Sequence, residues 1–129
     1  MKILAEISVG ELYDKITILN IKLKKIHDPN KLENIKIELN ALLEQSNKIV
    51  IKDDKILKKY IQELQEINEE LWDIENTKRE CEANKEFGEI FIKISRDVHF
   101  KNDIRASIKK EINLLSNSKI TEEKEYSNY

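Results

Sequence analysis

With 129 residues, a net charge of −2 and one cysteine, the chain has material for one hydrophobic core but not two, and it excludes a disulfide framework or a cysteine metal cluster. Charged residues make up 37% and hydrophobic residues 40%, against two Gly and one Pro, a mixture that suits long amphipathic helices and argues against β-rich or disordered chains. Lys alternates with Glu so closely that no basic block can follow a phosphate backbone, so nucleic acid is not an expected partner.

The first helix is announced twice. Ser8 and Glu11 stand three apart as a capping box, and Ile7 and Leu12 bracket them as a hydrophobic staple. Leu12, Ile16, Leu19, Leu23 and Ile26 then fall on one side of a helix that is expected to end near His27. Ahead of it, Glu6 interrupts the apolar start where a signal peptide would continue, and no later run is long enough to cross a membrane. The expectation is a soluble cytoplasmic protein that neither enters nor crosses a membrane.

Asp28 and Pro29 stop that helix and can open the second as N-cap and N1, with Asn30 and Glu33 as an alternative start one turn later. Leu32, Ile35, Leu39 and Leu42 carry the second helix to about Lys48, and Ile49 to Asp54 form an extended link in which Asp53 or Asp54 caps the third helix. Leu57, Tyr60, Leu64, Ile67, Leu71, Ile74, Lys78 and Cys81 keep heptad spacing, interrupted only by Lys78, to a turn near Ala83–Lys85. The fourth helix follows through Phe87, Phe91, Ile94, Val98, Lys101, Arg105, Ile108, Ile112 and Leu115, with a break possible around Phe100–Asn102. Residues 117–129 are polar and aperiodic, a tail either loose or laid over the helices.

The pattern therefore predicts a single all-α domain over residues 1–129, an antiparallel bundle of about four helices with a long hairpin of the third and fourth. A third helix of about 30 residues spans roughly 45 Å, longer than a compact chain of this size, so it must lengthen the bundle or protrude from it. Ile18 and Ile21 add a second apolar side to the first helix. Both features predict self-association, in the simplest case a homodimer.

If the hairpin turns near residue 84, residues equidistant from the turn lie level. Trp72 then faces Asp97 and Val98, Asp73 faces Arg96, Asn68 faces Lys101 and Asn102, and Leu64 faces Arg105. Trp72, Glu75 and Arg79 share a flank of the third helix, while Lys101 and Arg105 interrupt the apolar stripe of the fourth beside Asn102. One reading is a ligand or partner site at Trp72, Glu75, Arg79, Arg96, Asn102 and Arg105, with the tryptophan as a flat wall and the arginines as forks for a carboxylate or phosphate. The competing reading is an internal ion-pair network, in which Asp73, Glu75 and Asp103 neutralise Arg96, Arg79 and Arg105. Surface charges normally pair and aromatic side chains normally pack, so the network is the default.

Gly10, at N2 of the first helix, leaves backbone donors that could receive an anion, though such a glycine more often permits close packing. Gly88 reads as a helix start or a close approach. No catalytic constellation and no cofactor or metal motif is present: His27 and His99 are isolated, and the acid pairs Glu63/Glu66 and Glu86/Glu89 lie roughly 30 Å apart along the hairpin.

Ile7–Leu12 with Asp14, Lys15 and Thr17–Leu19, then Leu71–Glu75, Phe87–Gly88, Phe91–Ile92, Arg96, Asn102–Asp103, Arg105, Asn113, Glu122–Lys124 and Tyr126, resemble a family of short uncharacterised bacterial and phage proteins, the domain-of-unknown-function family 6165. The resemblance spans nearly the whole chain. It implies that the tail belongs to the fold, and it brings no activity, cofactor or catalytic residue with it. The function expected is a non-catalytic, self-associating module for a protein partner or a small anionic ligand. The alternative is a small-molecule enzyme resembling the all-α chorismate mutases, which a deep pocket lined by Arg96 and Arg105 would favour.

Overall fold

The computed structural model describes residues 1–129 as four helices joined by short links: α1 (Val9–Lys25), α2 (Pro29–Ser46), α3 (Asp54–Asn84) and α4 (Glu89–Leu115). The starts follow the local chemistry. Ser8 Oγ accepts from the Glu11 N–H at 3.0 Å, Asp28 Oδ1 from Asn30 at 2.9 Å, and Asp53 Oδ1 from Ile56 at 3.2 Å. Only half of the anticipated capping box forms, because the Glu11 carboxylate turns to Lys109 and Lys15. α1 stops at Lys25, two residues short of His27, and α4 runs unbroken through Phe100–Asn102.

α1 is the central element. It packs on α2, α3 and α4, while α2 packs on α1 alone. The stripe read from sequence meets α2: Leu12, Ile16 and Leu19 form one cluster with Ile35 and Leu39. The opposite side of α1 faces the hairpin, where Val9 and Tyr13 pack on Leu57, Leu64, Ile67, Ile108 and Ile112. Ile21, only 1% exposed, is spent inside the chain and Ile18 is half-buried, so the second apolar side of α1 serves the bundle itself.

α3 and α4 form the long hairpin, and Lys85 closes α3 in the left-handed region at φ 55°. The residues between Asn84 and Glu89 lengthen the connection, so the level pairing lies roughly half a turn to one turn away from that expected of a turn at residue 84. Lys101 meets Glu70, and Arg105 stands level with Asn68 rather than Leu64. The ion pairs of α1 with α3 reach Lys25–Asp73. Beyond that level Ile74, Cys81 and Ile94 pack with Phe91 and Val98, all residues of α3 and α4, so the tip of the hairpin stands as a two-helix arm.

Candidate functional site

Gly10, Asp14, Thr17 and Ile21 recur at steps of four, three and four and lie along the side of α1 turned to the hairpin. At Gly10 the helices nearly touch. A Cβ there would lie 2.5 Å from the Lys109 carbonyl oxygen, so no other residue fits without moving α1 and α4 apart. This is the close-packing role of Gly10, and the donors around it are already taken. The Val9 N–H goes to Ser118 Oγ at 3.1 Å, Gly10 N–H to Asn113 Oδ1 at 2.6 Å and Glu11 N–H to Ser8 Oγ. Gly88 has open space about it and simply starts α4.

One turn along, Asp14 is 1% exposed. Arg105 grips it with both arms of the fork, Nε donating to Oδ1 at 2.9 Å and Nη2 to Oδ2. Asn68 Nδ2 donates to Asp14 Oδ1 at 2.9 Å and to Thr17 Oγ1 at 3.0 Å, while Thr17 donates to the Asp14 carbonyl. Lys109 adds its charge 3.8 Å from Oδ2 and bonds Glu11 at 2.6 Å. Burial pushes the Asp14 carboxyl up, but the hydrogen bonds from Arg105 and Asn68 and the charges of Arg105 and Lys109 outweigh it and hold it below the ordinary carboxylate range. The same pair pushes Arg105 further up. Three helices are thus tied at one buried charge, with its lone pairs satisfied.

Arg105 spends one edge of its guanidinium on Asp14. The same residue borders an open groove of about 380 Å³ lined also by His99, Asn102, Asp103, Lys109 and, from the tail, Lys124 and Tyr126. Of the residues singled out from sequence, Arg105 and Asn102 meet here. The others do not join them. Arg96 borders a separate depression with Glu89, Ile92, Lys93, Asp97 and Phe100. Glu75 and Arg79 bond each other at 2.9 Å on the exposed face of α3, and Trp72 is half-buried and lines neither depression. Arg96 and Arg105 therefore line separate depressions, and the shared pocket that would favour the mutase-like reading is not formed by these two.

The ion-pair expectation divides in the same way. Glu75 does neutralise Arg79, but Asp73 pairs with Lys25 and Asp103 with Lys124, leaving Arg105 to Asp14. Level pairing along one hairpin could not find this, because the partner comes from α1. The available signal was the heptad-spaced line Gly10, Asp14, Thr17 and Ile21, a second buried stripe written partly in polar residues. His, Cys, Asp and Glu side chains form no group able to hold a metal ion, and no helix is long and apolar enough to cross a membrane.

Among protein families, the profile described as "Family of unknown function (DUF6165)" matches the chain over residues 1–129. No curated protein and no solved structure matches it.

Proposed function

The chain belongs to DUF6165, a family of unknown function, so its activity has to be argued from its own side chains, and we propose that it is a non-catalytic module binding a small anion in the groove beside Arg105. The observation that carries this reading is the fixed guanidinium. A buried Asp14, itself bonded by Asn68, grips Arg105 through Nε and Nη2, and the same arginine lines the groove. A donor fork immobilised in this way loses little freedom when it meets a carboxylate or phosphate, which is the usual reason for buttressing an arginine. Asn102 supplies an amide beside it, and Lys109 and Lys124 add positive charge.

Titration calorimetry and thermal shift with inorganic pyrophosphate test the site. Arg105→Lys keeps a cation for Asp14 but loses the guanidinium fork, so binding is expected to weaken tenfold or more, while Arg96→Ala leaves it unchanged. Absence of binding at millimolar pyrophosphate, or equal affinity of the Arg105→Lys variant, removes the reading.

Self-association has its support elsewhere, at the tip of the hairpin. Phe87, Ile90 and Ile92 are each at least half exposed on an arm made of only two helices, and a second copy of the chain supplies matching apolar surface. Light scattering at micromolar concentration is expected to give a dimer mass that falls on Ile90→Lys. A monomeric mass for the unaltered chain ends this part of the proposal.

A further inference from the structure

The outer wall of the groove is the C-terminal tail. Asn117, at φ 52°, turns the chain back at the end of α4, with the Ser118 N–H bonded to the Asn113 carbonyl at 2.9 Å in the manner of a Schellman stop. From there the tail retraces α4 toward its start. Glu122 lies at Asn113, Lys124 at Asp103, and Tyr129 at Asp103, His99 and Phe100. The helix between Asn113 and His99 covers roughly 21 Å, and the seven steps from Glu122 to Tyr129 reach about 23 Å when fully extended. The segment therefore has the length to run from Asn113 to His99, and Lys124 and Tyr129 both reach back to the one carboxylate of Asp103.

Its two ends are held very differently. At the inner end the Glu122 carboxylate accepts from the hydroxyl of Ser8 and from Asn113 Nδ2 at 3.2 Å, both on buried residues. Burial pushes Glu122 up, but those bonds and the charge of Lys109 outweigh it and keep it ionised. At the outer end Lys124 bonds Asp103 at 2.7 Å and the Tyr129 hydroxyl donates to the same carboxylate, with all three side chains open to water. Contacts of that kind are weak and screened by salt.

We propose that residues 123–129 form a strap, anchored at Glu122 and latched on Asp103, that opens to admit a small anion to Arg105 and closes by transferring Lys124 from Asp103 to that anion. This rests on the binding reading above. The latch and the ligand compete for one ammonium group, so the strap admits strong oxyanions, whether free phosphates or carboxylates, and stays shut against neutral molecules. Tyr126, which lines the groove and lies under the Lys124 ammonium at 5.9 Å, moves with it.

Stopped-flow binding of inorganic pyrophosphate to the full chain, to Asp103→Asn and to a chain ending at Glu122 tests the strap. Asp103→Asn is expected to raise the association rate severalfold. The shortened chain is expected to associate at least as fast and to release pyrophosphate about tenfold faster, having lost Lys124. Association and release rates unchanged in both overturn the strap and leave the groove as an open anion site. If the intact and shortened chains both fail to bind, the binding reading falls and the strap with it. NMR contacts between the Tyr129 and His99 rings, present in the free protein and lost in Asp103→Asn, support the latch, and their persistence in that variant counts against it.

Discussion

Two arginines of this chain each donate through Nε to a carboxylate at 2.9 Å, Arg79 to Glu75 and Arg105 to Asp14, and the resemblance stops there. Arg79 and Glu75 are neighbours one helical turn apart, with side chains 77% and 59% exposed, so water competes for both. Asp14 is sealed among three helices, has a second bond from the Arg105 fork and a third from Asn68, and leaves Arg105 only 30% exposed. Equal distances thus hide unequal consequences. A surface pair can separate into solvent at little cost, whereas a buried carboxylate that loses its partner has nowhere to go.

The sharpest way to break that comparison is Arg105→Met, which strands the Asp14 charge and is expected to cost about 3–5 kcal/mol in urea unfolding. Adding Asp14→Asn should recover part of the loss, because no bare charge remains. Acid comes next in size. Asp14 and Glu122 both have carboxyls held below their ordinary values, so the stability they contribute is complete above the unfolded values of about 3.9 and 4.3 and drains away as the pH falls through the lower folded ones. The urea midpoint should be flat near neutrality and drop below about pH 4, with a shallower fall in Asp14→Asn. A drop beginning near pH 6 would show that these groups are not the cause. The smallest effect belongs to Arg79→Ala, expected to change stability by less than about 0.5 kcal/mol; a loss comparable to that of Arg105→Met would erase the distinction.

Much of the fold was legible in the sequence, because helix signals are local. Ser8 caps where its spacing said it would, Asp28 and Asp53 take caps that the sequence had narrowed to two candidates each, and the stripe Leu12, Ile16 and Leu19 is buried as its period requires. The hairpin was legible too, apart from its level pairing. That shifted because the connection through Lys85 to Gly88 is longer than a turn at residue 84 allows. Of the groove proposed as a site, the residues singled out from sequence include only Arg105 and Asn102. Arg96, Trp72, Glu75 and Arg79 stand out in the sequence as uncommon or charged residues on regular faces, but rarity carries no information about what lies opposite. Asp14 and Lys109 were hidden for the converse reason, being charged residues in a chain full of them.

What the residues determined unaided is therefore the set of helices and the faces they must bury, since capping, periodicity and turn chemistry act over a few positions at a time. Which helix faces which was decided in three dimensions. Gly10 lets α1 approach α4 until Asp14 reaches Arg105, and the reversal at Asn117 brings Glu122 and Lys124 back over the same ground. Those partners lie about 90 and 110 positions apart in places, and a pairing of that range is fixed by how the helices pack and not by any spacing along the chain.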